Sequence, residues 1–124
     1  MRAMEPDETG VVRGIHWERF GDGDPTILFV PPWAIVHSRV WKMQVPYLAR
    51  HFRVVTFDPR GNGRSIRPSD PASYAETEYA EDARAVMDAS GTARAVVVTL
   101  SMGAQRTILA WVALTWLRGL GLPP

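Results

Sequence analysis

Ser101 is the residue whose type and setting most directly suggest chemistry. It follows Val96-Val97-Val98-Thr99-Leu100, an uncharged and largely β-branched run, and precedes Met102-Gly103-Ala104-Gln105, which opens a stretch of good helix formers. The run reads as a strand buried on both faces, as inside a parallel sheet. A serine at so tight a strand-to-helix junction would have its hydroxyl lifted above the sheet, with the helix's first amides aimed at it. Such a hydroxyl could attack an acyl carbon. The same serine could instead simply cap the helix.

Activating an alcohol at neutral pH requires a general base and a carboxylate to orient that base. No His, Asp or Glu follows Ser101, and the three histidines, His16, His37 and His51, all precede it. His37 lies in a loop that would overhang the site, which makes it the one conceivable substitute base. The absence of cysteine excludes disulfides, thiolate metal sites and cysteine nucleophiles. The sequence calls for no metal and no cofactor.

A second glycine-rich turn, Asp58-Pro59-Arg60-Gly61-Asn62-Gly63-Arg64-Ser65, could be mistaken for a phosphate cradle. A dinucleotide fingerprint would need a further glycine where Ile66 stands, and no Walker lysine is present. The turn reads as structural, its glycines supplying backbone angles while Asp58 and Arg60 supply hydrogen bonds.

The elements that must hold these residues follow from the patterning. Of the 124 residues, 46% are hydrophobic and 22% charged, ordinary values for one modest core. A net charge of +1 from scattered basic residues argues against a nucleic-acid surface. Residues 1–8 lack the apolar centre of a signal peptide, so a cytoplasmic location is expected. Val11 to Phe20 suits one or two antiparallel strands at a sheet edge, and Thr26 to Val30 reads as a central strand stopped by Pro31-Pro32. A helix is expected over about 39–51, capped by Ser38, with Trp41, Val45 and Leu48 on its buried face and Pro46 kinking or restarting it. Residues 52–57 form the next strand. Another helix over about 77–89 carries Tyr79, Ala83, Val86 and Met87 and ends at Ser90-Gly91. Alternation of strand and helix predicts an α/β fold with a mainly parallel sheet and helices on both faces.

Three motifs in order, Pro31-Pro32-Trp33-Ala34, Asp58-x-Arg60-Gly61-x-Gly63-x-Ser65 and Leu100-Ser101-Met102-Gly103, resemble the N-terminal half of an α/β-hydrolase of the esterase, lipase and epoxide-hydrolase type. The likeness covers about residues 14–106, while 107–124 are atypical. It implies that Ser101 is the nucleophile on a nucleophile elbow, with Thr99 replacing the usual first glycine. It further implies an oxyanion hole made by the backbone N–H groups of Met102 and Trp33, because Pro31-Pro32 stands where the family's His-Gly would be and proline has no N–H. The family places its acid and then its histidine after the serine, and neither is found there. The 124 residues are therefore expected to form a single partial domain, a truncated or frameshifted product with little activity alone toward a small ester-like substrate. A noncatalytic module that binds a partner through its unfinished sheet edge is the alternative. An uncovered edge at the Val96–Leu100 strand would also favour self-association. The apolar run Thr107 to Leu117 is too short for a membrane span of roughly 20 residues.

Overall fold

A computed structural model describes residues 4–32 and 37–113. Five strands form one sheet in the order β1-β2-β4-β3-β5. The first two, β1 (Glu8–Val12) and β2 (Ile15–Phe20), form an antiparallel hairpin. Its turn places Arg13 and Gly14 at positive φ. The apolar runs become β3 (Thr26–Phe29) and β4 (Arg53–Phe57), which pair in parallel, while β2 joins β4 antiparallel. The third apolar run supplies β5 (Val96–Val98), parallel to β3. The α/β architecture is thus as expected, with the parallel pairs gathered at the end of the sheet that carries Ser101.

Side chains alternate across β3 and divide the interior into two cores. Leu28 and Val30 join Ile15, Trp17, Val55 and Phe57 beneath Ala83 and Val86 of α2 (Glu76–Ala89; α1 is the short Gln44–Leu48). Ile27 and Phe29 join Phe20 and Val54 on the opposite face, beneath Trp41 and Val45. A strand buried on both faces must be apolar throughout, which is why Thr26 to Val30 shows no alternation.

Two expected elements differ in extent. The 39–51 helix is broken into a 3-10 turn, Ser38–Trp41, and α1 (Gln44–Leu48). Pro46 lacks the amide needed to bond back across Lys42 and Met43, and it sits instead in the first turn of α1, where that amide has no intrahelical partner. The cap is His37, whose Nδ1 accepts from the Arg39 N–H at 3.1 Å, and Ser38 is the first residue of the turn. The stripe survives the break, since Trp41 and Val45 are buried and Leu48 packs against them.

The Val96–Leu100 strand is shorter than expected, half-buried on one face and exposed on the other. Parallel register puts Val96 beside Ile27 and Val98 beside Phe29, on the α1 side of the sheet. Trp41 and Val45 pack over Ile27, Phe29 and Val54, while Val96, Val98 and Leu100 remain exposed. Among the described residues β5 is an edge strand. Beyond it, α3 (Met102–Ile108) passes into a π-helical turn, Leu109–Ala113, and no described helix is long and apolar enough to cross a membrane.

Candidate active site

Three strand ends and the turns leaving them build the site. At the first, β3 runs on to Val30, whose N–H donates to the Val98 carbonyl at 2.9 Å, and then to the buried Pro31 and Pro32. Trp33 lies outside the described residues, as do Ala34 to Val36.

At the second, β4 leads into the Asp58–Ser65 turn, and the turn is fastened at every polar corner. Asp58 accepts from the Ser38 N–H at 2.7 Å through Oδ1 and from the Arg64 N–H at 3.0 Å through Oδ2. Burial alone would raise the Asp58 carboxyl, but these backbone donors outweigh it and hold the group below its usual range. The Ser65 hydroxyl donates to the Asp58 carbonyl at 2.7 Å and accepts from the His16 N–H at 3.0 Å. Gly63 has φ +54, and a Cβ there would collide with the Asp58 carboxylate. Arg60 reaches the turn's other anchor, Asp82 of α2, by a bidentate pair with Nε to Oδ2 at 2.7 Å and Nη2 to Oδ1 at 2.9 Å. Asp82 is almost fully buried and also accepts from Arg13 Nε at 2.9 Å. Sequence reasoning missed Asp82. Its signal was a carboxylate set between Tyr79 and Val86 on the apolar stripe of α2, a burial tolerated only with a cationic partner.

At the third end, Ser101 adopts φ 57 and ψ −126, one of two non-glycine residues with positive φ among those described. Such angles are strained for an L-residue and persist only when the surroundings impose them. The Ser101 side chain makes no capping hydrogen bond to α3, which removes the helix-cap alternative. The residue is exposed. The turn closes through Gly103 N–H to the Leu100 carbonyl at 3.1 Å and Ala104 N–H to the Ser101 carbonyl at 3.0 Å. Met102 heads α3, in the first turn whose amides have no partner inside the helix. Arg106 ties α3 to α2, with Nε to Glu76 Oε2 at 2.9 Å and its guanidinium 3.7 Å above the Tyr79 ring.

No histidine is hydrogen-bonded to Ser101 among the described residues. His37 caps the 3-10 turn and borders a cavity of about 200 Å³ that Glu18, Asp58 and Arg64 also line. His16 Nε2 lies 3.6 Å from Glu18 Oε1, and His51 stacks edge-on with Tyr47 and Phe52. No cluster of three or more metal-ligating side chains occurs among the described residues.

Residues 25–114 match the family model described as the alpha/beta hydrolase fold. Over 97 residues the chain is 41% identical to a Caulobacter segnis protein assigned as the carbamate hydrolase RutD, covering 77% of this chain and 36% of that protein. Among solved structures, the epoxide hydrolase VrEH1 from Vigna radiata superposes with a TM-score of 0.77 at 26% identity, over 87% of this chain and 35% of the other. An enol-lactonase from Burkholderia xenovorans LB400 gives 0.69 at 32% identity, over 86% and 40%. The 124 residues thus span little more than a third of the relatives they match. With the family model covering most of the chain and the strand order, turns and Ser101 junction in place, this protein belongs to the alpha/beta hydrolase fold family.

Proposed function

We propose that Ser101 is the nucleophile of an acyl hydrolase, standing on a nucleophile elbow, with the N–H groups of Met102 and Trp33 forming the oxyanion hole. The strained Ser101 backbone at the head of α3 carries this reading, since it presents the hydroxyl without spending it on a helix cap. In the reaction, Ser101 Oγ bonds to the substrate carbonyl carbon while a base removes its proton, and the carbonyl oxygen takes up the electron pair between the two N–H donors. Collapse expels the alcohol or amine, protonated by the same base, and water then cleaves the acyl-serine.

The serine favours a carbonyl substrate over an epoxide, although several neighbours are named as epoxide hydrolases. Opening an epoxide would alkylate serine to an ether, which water does not cleave at neutral pH, whereas an acyl-serine turns over. The substrates we assign are esters, lactones or carbamates, in keeping with the names of the other two relatives.

The base and its carboxylate lie, in this proposal, beyond these 124 residues, because nothing after Ser101 can serve as either. Alone, the chain should hydrolyse activated esters no faster than its Ser101→Ala variant. A robust rate lost in Ser101→Ala would defeat that, and its further loss in His37→Ala would identify His37 as the base.

One observation favours a second reading, a noncatalytic module that pairs with another chain. The exposed Val96 and Val98 lie on β5, an edge strand among the described residues, with the exposed Leu100 just beyond it, an apolar template for strand addition or self-association. Light scattering decides it: concentration-dependent oligomers abolished by Val98→Lys support the module, and a monodisperse monomer opposes it.

A further inference from the structure

Asn62 is the only asparagine of the chain, and Gly63 follows it. The pair lies in the Asp58–Ser65 turn, where two reverse turns meet. The Asn62 N–H donates to the Pro59 carbonyl at 3.0 Å, and the Asn62 carbonyl accepts from the Ser65 N–H at 3.1 Å. Within that frame the Gly63 N–H donates to Oδ1 of the Asn62 side chain at 2.6 Å. Because Cγ is bonded to that oxygen, it lies no farther than about 3.8 Å from the Gly63 nitrogen. A bond between that nitrogen and Cγ would close a five-membered ring.

The surroundings favour that closure. Glycine places no side chain beside the attacking nitrogen, and the Asp58 carboxylate fills the space a Cβ at residue 63 would take. The Ser65 N–H draws charge from the Asn62 carbonyl, and so from the peptide nitrogen that must lose its proton. Asn62 and Gly63 are half-buried, so water reaches them. Holding two reacting atoms near the roughly 3–3.5 Å of a near-attack arrangement removes much of the entropic barrier to their reaction.

We propose that Asn62-Gly63 is a site of self-modification, at which the folded turn converts the asparagine to aspartate and isoaspartate. Hydroxide removes the Gly63 amide proton, and the nitrogen bonds to Asn62 Cγ. The Cγ–Nδ2 bond breaks, and Nδ2 leaves as ammonia with a proton from water. Water then opens the succinimide. Breaking the new N–Cγ bond leaves aspartate at residue 62, whereas breaking the original peptide bond leaves isoaspartate, whose main chain runs through Cγ and is one atom longer. Either product adds a carboxylate to the turn that already holds the Asp58 carboxylate. The longer main chain finds no slack, because Gly63 is packed against Asp58 and the Arg64 N–H is tied to Asp58 Oδ2 at 3.0 Å. Isoaspartate therefore loosens the turn. The site is independent of the hydrolase reading, because it uses no residue of that chemistry.

The full chain, held at mildly alkaline pH in native buffer and in parallel in urea, tests the assignment. Tryptic cleavage after Arg60 and Arg64 isolates residues 61–64, whose amide, aspartyl and isoaspartyl forms are separated by mass and retention. The native chain should convert this peptide to both acidic forms about tenfold faster than the unfolded chain, in which the side chain must find the amide from many rotamers. The melting temperature should fall as isoaspartate accumulates. Asn62→Gln, which would have to close a larger ring, should keep its mass and its melting temperature over the same period. A native rate equal to or below the unfolded one, aspartate without isoaspartate, or a melting temperature unmoved by isoaspartate would each overturn the proposal. The native and unfolded rates of the parent chain decide the matter even if the variant fails to fold.

Discussion

The Thr99 hydroxyl occupies the space that a side chain at Gly103 would need. A Cβ on Gly103 would run into Thr99 Oγ1 and come within 2.9 Å of the Pro31 carbonyl oxygen. The ends of β3 and β5 therefore close on the first turn of α3 from two sides, and the Thr99 hydroxyl is left buried without a hydrogen-bond partner. Crowding at residue 103 and strain at residue 101 are two results of one tight junction.

Gly103→Ala should destabilise the chain by about 1–3 kcal/mol, the usual cost of overfilling a packed site. Adding Thr99→Gly should recover part of that loss, leaving the clash with the Pro31 carbonyl. Urea unfolding of both single variants and the double variant measures the coupling. Additive effects would mean that the two residues do not compete for one space.

At Ser101 the strain is in the backbone and so depends on the Cβ. Ser101→Gly should be about 1 kcal/mol more stable than Ser101→Ala, because glycine adopts positive φ without steric penalty. Equal melting temperatures for the two variants would remove the strained junction from the account.

Arg60→Ala should cost about 3–5 kcal/mol, since it leaves the buried Asp82 carboxylate with Arg13 as its remaining partner. Arg60→Lys should recover little of this, because an ammonium cannot reproduce the bidentate fork. Full recovery by lysine in chemical unfolding would reduce the contact to simple charge pairing.

Asp58 should make the fold acid-sensitive. Its carboxyl is held below the unfolded value of about 4 by the Ser38 and Arg64 amides, so its contribution is present above that value and lost as pH falls through the folded one. Between pH 5 and pH 3 the melting temperature of the parent should fall more steeply than that of Asp58→Asn. Parallel slopes would show that Asp58 does not couple folding to protons.

Much of this was legible in the sequence because it depended on local patterns. The apolar runs gave β3 and β4, Gly91 at positive φ ended α2 where Ser90-Gly91 was read as a stop, and the turn residues marked the Asp58 loop. What escaped was set by tertiary partners. The position of Asp82 on the apolar stripe of α2 hints at burial, but its partners Arg60 and Arg13 come from segments far away in sequence and no local pattern names them. The exposure of Val96 and Val98 could not be read either, since composition shows what a strand could bury and not whether a neighbour covers it. Trp33 and the tail from residue 114 onward, on which part of the oxyanion hole and the atypical ending were read, lie outside the described residues.

On the proposal above, Ser101 is a nucleophile held by its junction and awaiting a base. Fluorophosphonate labelling, read by mass spectrometry at Ser101, tests it most directly on two proteins: the 124 residues alone, and the same chain extended by whatever the DNA encodes after Arg106 in this frame or a neighbouring one. The account predicts that an extension supplying strands, a carboxylate and then a histidine will give rapid labelling abolished by Ser101→Ala, while the 124 residues alone label slowly or not at all. Rapid labelling of the 124 residues alone, or none at Ser101 in such an extended protein, would contradict it.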